Sequence, residues 1–360
     1  MVEIRFCRYD SSLKDQLVEF LGLLKGDRDI NERKKSFEWA YENNPYTQKP
    51  FIYLALHGDQ IVAHTAYIIQ KYAHHKNEFL VGIGEGSLVH PDFRRQGIFS
   101  KLIKYSWEDL RVNSNIRLVQ VFSTNESSIG STLKSGYFPM GEIEYMYFIS
   151  PVNKFKKIIL HHSDLDNPFI SNKNDVTIEI TREPKVREIS GLMQTFTDKN
   201  KISGVRDEEF YKWRFADSPY KYIYAYSKEG DETTGYLSLR KNDNSLMEYT
   251  LMEYGYLNPS CFQYLIEQTS QKLLVQGIVT PTFSRNQEEL LNLKKSGFNY
   301  SDDRWVKIYK TLARTSKIKL PVVVKPISPD FNDNACFLDG VDIRLSKNWS
   351  LFDSDMWDRL

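Results

Sequence analysis

Apolar and polar positions alternate with two different periods along the first 150 residues, and the switches between them mark the elements. Residues 2–7 read as a short strand. Residues 10–12 then cap a helix carrying Leu13, Leu17, Phe20, Leu21 and Leu24 at helical spacing. Asn31 caps a second helix through Tyr41, which Asn43-Asn44-Pro45 closes. Stretches 51–56 and 61–71 flank the turn at Gly58-Asp59, a hairpin pattern. Residues 79–89 form another strand, followed by a helix over about 100–112 with Phe99, Leu102, Ile103, Trp107 and Leu110 on one face. A strand at 117–123, a helix at 126–134 and a closing strand at 145–149 complete the order β-α-α-β-β-β-α-β-α-β. This is an α/β arrangement around a mixed sheet.

The pattern then recurs. Phe122-Ser123-Thr124-Asn125 is followed, eleven residues after Asn125, by Gly136; Phe283-Ser284-Arg285-Asn286 is followed at the same distance by Gly297. Trp39 precedes Pro45-Tyr46 by six residues, and Trp213 precedes Pro219-Tyr220 by the same six. Two landmarks in the same order imply two homologous domains, about 1–150 and 175–312. Residues 151–174 then form a linker. Residues 313–360 form a tail with enough apolar side chains, among them Val322, Val323, Val324, Trp349 and Phe352, to dock on the rest.

Composition narrows the picture. At 360 residues the chain has room for two domains. Its 48 basic and 47 acidic residues leave a net charge of +1, without the basic excess of a nucleic-acid binder. Cys7, Cys261 and Cys336 are odd in number and far apart, which fits neither a disulfide framework nor a metal cluster. The first ten residues have no apolar signal core, and no apolar run reaches the ~18 residues of a membrane helix. A cytoplasmic protein without bound metal is expected.

Chemistry concentrates in residues 83–100. A strand ends at Val89-His90-Pro91, a loop holds Arg94-Arg95-Gln96-Gly97, and a helix begins near Ile98-Phe99-Ser100. The first amides of a helix have no intrahelical acceptor and the macrodipole favours an anion there, while a glycine admits a phosphate close to the backbone.

With these residues the sequence resembles the GNAT superfamily of N-acetyltransferases. That family's signature is Arg/Gln-x-x-Gly-x-Gly/Ala after a strand ending in Val-x-Pro. Asn125 and Gly136-Tyr137 are similar to its second landmark, an Asn at a strand end and a helix running into Gly-Phe. The resemblance covers the whole first domain. It implies acetyl-CoA as co-substrate, with Leu88 and Val89 pairing with pantetheine. It further implies Arg94, Arg95, Gln96, Gly97, Ile98, Phe99 and Ser100 around the pyrophosphate, and Asn125 near the thiol arm. Two positions depart from the family. Phe99 stands where the signature has Gly or Ala, although only its amide is needed. Thr132 stands where many members carry the Tyr that protonates the leaving thiolate. The second domain has Tyr256-Leu257-Asn258-Pro259-Ser260 at the loop position, without Gly or Arg, so one acetyl-CoA per chain is expected.

Candidates for the remaining chemistry each have a plain alternative. By resemblance to histone-acetylating members, Glu85 is the best-placed general base; strand alternation puts it on a face with Ile83, Ser87 and Val89, and the alternative is a solvated strand carboxylate. Some tandem GNAT relatives use a C-terminal carboxylate as base, which makes Asp353 and Asp355 candidates against a docked surface strand with solvated acids. His90 reads as structural or catalytic, and His64 as a satisfied core histidine or an acceptor-site residue. His74 and His75 should point to opposite faces, and Trp39 and Trp213 are core residues or acceptor stackers.

The expected function is acetyl transfer from acetyl-CoA to an amine of a small-molecule or sugar-like acceptor, by direct attack in a ternary complex. Neither nucleic acid nor membrane is expected as a partner. The alternatives are a non-catalytic acyl-CoA-binding sensor and a tandem-GNAT aminoacyltransferase. The neutral charge and intact loop weigh against the second.

Overall fold

The computed structural model describes residues 3–25, 29–122, 126–150, 153, 165, 167–173, 175–242, 247–283, 287–300, 303–304, 306–307, 320–328, 336–352 and 354–355. The first repeat runs β1 (Arg5–Arg8), α1 (Lys14–Lys25), α2 (Ile30–Phe37), β2 (Phe51–His57), β3 (Gln60–His74), β4 (Asn77–Val89), α3 (Ile98–Asn113), β5 (Ile116–Phe122), α4 (Glu126–Lys134), β6 (Phe138–Ile143) and β7 (Tyr145–Ile149). The second runs β8 (Phe169–Lys173), β9 (Val176–Thr181), α5 (Val186–Phe196), β10 (Ile202–Gly204), α6 (Glu208–Tyr211), β11 (Tyr222–Glu229), β12 (Glu232–Lys241), β13 (Tyr249–Tyr256), α7 (Pro259–Leu273), β14 (Gly277–Pro281), α8 (Gln287–Lys295) and β15 (Phe298–Tyr300). The tail adds β16 (Leu320–Pro326), the hairpin β17 (Phe337–Leu338) and β18 (Val341–Asp342), and β19 (Trp349–Ser350). Strand β6 escapes the sequence pattern because Pro139 and Gly141 interrupt it.

These strands make two large mixed sheets. The first has the order β1-β2-β3-β4-β5-β16-β6, with β10 and β19 added beside β3; the second has the order β15-β7-β14-β13-β12-β11-β9-β8. Tyr145–Ile149, expected to close the first domain, lies in the second sheet between β14 and β15. In return β16, from the tail, lies in the first sheet between β5 and β6. The two halves have exchanged their last strands. Val322, Val323 and Val324 are buried on both faces, as a central strand requires. Pro321 and Pro326 sit near its ends, where a missing N–H costs least.

The repeated tryptophans form the junction. Helices α2 and α6 each run on into one π turn, Glu38–Glu42 and Lys212–Ala216. Asn43 N–H reaches Glu38 O at 2.7 Å, and Asp217 N–H reaches Lys212 O at 2.8 Å. Trp39 Nε1–H donates to Trp213 O at 2.7 Å, and Trp213 Nε1–H donates to Trp39 O at 3.0 Å. Tyr220 meets Trp39 edge-on and Tyr46 meets Trp213 in the same way. Each contact recurs with the repeats interchanged, so a local two-fold axis passes between the indoles, which pack against each other in the core.

One irregularity shapes the centre of the first sheet. Ala66 pairs with Glu85 and His64 with Leu88, so Gly86 and Ser87 together oppose Thr65. Gly86 adopts φ 65°, a conformation glycine takes without a Cβ clash. This bulge corrects the expected alternation. The extra residue reverses the faces, so Glu85 shares its side with Ile83 and Leu88, while Val89 joins the opposite cluster under α3. On that opposite side, Gly82 and Gly84 leave room for neighbours. A Cβ added to Gly84 would stand 2.8 Å from Val121 Cγ2, and one on Gly82 would meet the Tyr67 ring. Tyr67 lies over this stripe, with its hydroxyl 3.0 Å from Ser106 Oγ on α3.

Ser354 and Asp355 of the tail join a buried ionic cluster. Arg206 donates from Nε to Glu253 Oε1 at 2.5 Å and from Nη2 to Asp355 Oδ2 at 2.8 Å. Tyr211 OH (2.8 Å), Ser354 Oγ (2.9 Å) and Tyr236 OH also donate to Glu253. Asp355 accepts from Phe352 N–H at 2.8 Å, and Arg214 Nε–H donates to Ser354 O at 3.1 Å. Glu253, Ser354 and Asp355 are all 0% exposed.

Candidate active site

Strands β4 and β5 run parallel and pair from Leu80–Ile116 to Gly84–Val121, and there the ladder stops. Beyond it, residues 85–89 of β4 have no strand neighbour on that side among the described residues. A wedge opens between the two strands, bounded by the bulge and, at the end of β4, by the loop to α3.

Two side chains of that loop bond back onto its own backbone. Arg94 Nε–H donates back to Val89 O at 3.1 Å, and Gln96 Nε2–H donates to Asp92 O at 3.3 Å. Phe93 is held between the rings of His57 and His90. Arg95 at φ 63° and Gly97 at φ 73° are both left-handed, so the intervening amides are turned into a concave nest suited to an anion. Helix α3 starts at Ile98 with Gly97 as its N-cap and no side chain capping it. A Cβ on Gly97 would meet no atom within 4 Å, so the space over the glycine is open. Ile98 and Phe99 turn into the core under α3, which leaves their amides at the helix start. Ser100 is exposed beside them.

The second repeat lacks these features. Asn258 caps α7 with its own side chain, which accepts from Cys261 N–H at 3.0 Å, and Pro259 has no N–H to offer. At the end of β13, Asn292 on α8 donates to Tyr256 OH at 2.9 Å and ties that helix to the strand.

On the other face of β4, Glu85 is half-buried beside Tyr41. Burial, then Glu85 and then Tyr220 hold the Tyr41 phenol well above its ordinary pKa. Glu85 is thus on the side of the sheet that packs against the junction between the repeats. The sequence marks Tyr220 only as part of the repeated Pro-Tyr motif and Tyr41 only as a helix end, and nothing local to either points to Glu85. Leu88 is buried under α1, and Val89 faces the α3 side. Thr132 is buried on α4. Asn125 and Asp353 lie outside the described residues.

Asp355, a candidate base at the acceptor against a docked tail, has its carboxylate buried against Arg206, and Tyr72 feels its charge. Tyr72 lies six residues along β3 from Ala66, the partner of Glu85, or about 20 Å at strand rise. His90 Nδ1 accepts from Asp92 N–H at 3.4 Å, a turn contact. His74 and His75, expected on opposite faces, have rings 4.2 Å apart because His75 is left-handed at φ 53°. A cavity of about 640 Å³ lies elsewhere, lined by Phe148, Asn153, Ser270 and Lys295. It borders the far part of α7, away from that helix's N-terminus. Among the described residues no group of three His, Cys, Asp or Glu side chains could hold a metal, and no helix is long and apolar enough to cross a membrane.

Residues 15–137, which span the wedge and its loop, match the family model of the acetyltransferase (GNAT) domain. No curated protein matches the chain in sequence. A probable N-acyltransferase from Enterococcus faecalis V583 shares the fold at TM-score 0.62 and 13% identity, over 90% of this chain and 73% of that one. A tandem GNAT protein from the clavulanic acid biosynthesis pathway does so at 0.55 and 12%, over 91% and 99%. N-myristoyltransferase of Saccharomyces cerevisiae, solved with bound myristoyl-CoA, does so at 0.58 and 14%, over 98% and 90%. The family match falls on the repeat with the open loop, and the tandem likeness extends over both repeats. Residues 15–137 are thus a GNAT acetyltransferase domain, and the chain as a whole has the fold of tandem GNAT proteins.

Proposed function

We propose that the chain transfers an acetyl group from acetyl-CoA to an amine of a small-molecule or sugar-like acceptor, by direct attack in a ternary complex. The observation that carries this reading is the uncapped start of α3 at Gly97, standing at the open end of the β4–β5 wedge. The amides of Arg95, Gln96, Gly97, Ile98, Phe99 and Ser100 receive the pyrophosphate, with Arg94 bracing the loop from below. The backbone of Leu88 and Val89 pairs with pantetheine in place of the missing strand, and Asn125 stands near the thiol arm. The acetyl group supplies the electrophilic carbonyl. The first repeat, about residues 1–150, holds the co-substrate and the second, about 175–312, closes the acceptor side, while the tail after 312 completes the first sheet through β16. A neutral chain with three unpaired cysteines suits the cytoplasm.

Glu85 is the proposed general base. An amine near pKa 10.4 costs about 4.6 kcal/mol to deprotonate at pH 7, and one near pKa 8 about 1.4 kcal/mol. The carboxylate accepts that proton as the nitrogen attacks. Glu85→Gln is expected to lower kcat about 100-fold or more, with acetyl-CoA affinity unchanged. An unaltered rate on the preferred amine would remove Glu85 from the mechanism.

Calorimetry with acetyl-CoA tests the loop directly. Gly97→Trp forces a side chain into the phosphate space and strains a left-handed position, so binding should become undetectable. Retained binding overturns the loop assignment. A thiol-release assay against a panel of amines tests turnover; tight binding without release on any amine favours the sensor, a reading that Thr132 in place of a thiolate-protonating Tyr makes concrete.

A further inference from the structure

His64 is opposite Leu88 in the ladder and is 0% exposed. Its Nδ1 stands 3.0 Å from Gly86 O. A carbonyl oxygen only accepts, so Nδ1 carries the hydrogen and the ring is the Nδ1–H tautomer. Burial pushes its pKa down to about 4, which keeps the ring neutral at pH 7. The ring also lies over the glycine itself, with Cε1 3.6 Å from where a Cβ on Gly86 would stand.

The carbonyl held in this way belongs to the peptide joining Gly86 to Ser87. Among the described residues no peptide is cis, and in a trans peptide C=O and N–H point in opposite directions. Fixing the carbonyl toward His64 therefore sends Ser87 N–H away from the ring, toward the side of β4 that has lost its β5 partner. The far end of the same peptide is fixed as well, by the contact of Ser87 Oγ with Thr65 Oγ1 at 2.8 Å. Without the imidazole, a left-handed glycine at a bulge is the backbone position freest to turn.

We infer that His64 is a positioning residue: by gripping the Gly86 carbonyl it aims Ser87 N–H at the thioester carbonyl of bound acetyl-CoA. This rests on the acetyl-CoA reading above. When the amine attacks, the carbon–oxygen π pair moves onto oxygen, and Ser87 N–H donates to that developing oxyanion. The amine's proton goes to the base, the thiolate later leaves, and His64 neither gains nor loses a proton. A donor aligned beforehand stabilises the transition state without reorganisation during the reaction.

The test reads the carbonyl itself. Acetyl-CoA labelled with carbon-13 at the acetyl carbonyl is bound to the full chain, and its stretch is read by infrared difference spectroscopy. In the wild type the band should lie below that of free acetyl-CoA. In His64→Leu it should return to the free position. His64→Asn, whose amide nitrogen stands near the place of Nδ1, should restore the downshift, and His64→Gln, with its amide one carbon further out, should not. Turnover in the Leu and Gln variants should fall about 10–100-fold with acetyl-CoA affinity retained. The Asn–Gln comparison decides the matter even if the Leu variant does not fold, since equal bands in the two overturn the inference. A wild-type chain that does not bind acetyl-CoA sinks the acetyl-CoA reading and this inference together. Binding with the same band in wild type and His64→Leu sinks the inference alone.

Discussion

Truncation after residue 312 is expected to give a chain that neither binds acetyl-CoA nor unfolds cooperatively, although the loop and every residue around it remain. The lost segment contains β16, the strand that joins β5 to β6. Without it β5, one wall of the wedge, has an unpaired edge, and β6 has no sheet. Burial of Val322, Val323 and Val324 contributes about 1.5–3 kcal/mol each, so together they approach the ~5–15 kcal/mol net stability of a typical domain. The same cut removes Ser354 and Asp355, leaving Arg206 and Glu253 short of partners in the second half. Circular dichroism during urea unfolding and calorimetry with acetyl-CoA read the two effects separately. A truncated chain with a sharp transition and wild-type affinity would show that the exchanged strand is dispensable.

Arg206→Leu is expected to cost about 3–5 kcal/mol, the range for breaking one side of a buried pair. The loss of the guanidinium strands two carboxylates, Glu253 and Asp355, each at 0% exposure. The phenols and the Ser354 hydroxyl that face Glu253 remain, but they are neutral donors and do not balance two charges. The leucine also cannot reach over the Phe210 ring, against which the guanidinium lies at 4.5 Å. The midpoint of urea unfolding should fall at unchanged slope, and the tail should become the first site of proteolysis. A change below about 1 kcal/mol would mean that the cluster is solvated and contributes as a surface pair does.

What the sequence made legible follows from how local each feature is. The loop at Arg94–Gly97 and the start of α3 depend on neighbours within a few residues, so glycine and strand–helix switching were enough to find them. The repeated Trp and Pro-Tyr motifs were visible as a repeat, but their reciprocal hydrogen bonds depend on two segments 174 residues apart meeting in space. Val322–Val324 reads as a buried strand wherever it pairs, and nothing in its pattern tells its own sheet from the other one. The face of Glu85 came out right relative to Ile83 and wrong relative to Val89, because strict alternation leaves no place for a bulge. Gly86 was the available signal, being the glycine that precedes the change of side. Asp355 sat among acids in a polar ending, and its cation lies 149 residues earlier.

The exchange of strands also sets a schedule. Phe122 on β5 meets its partner Val322 only after 200 more residues have been made. At a ribosomal rate of about 5–20 residues per second, that delay is roughly 10–40 s. During it the growing chain carries an open strand edge beside the loop that would hold the co-substrate, the kind of edge that recruits other strands. The first half to be synthesised is thus among the last to be finished, and the wall that β5 gives the wedge is complete only once β16 has left the ribosome.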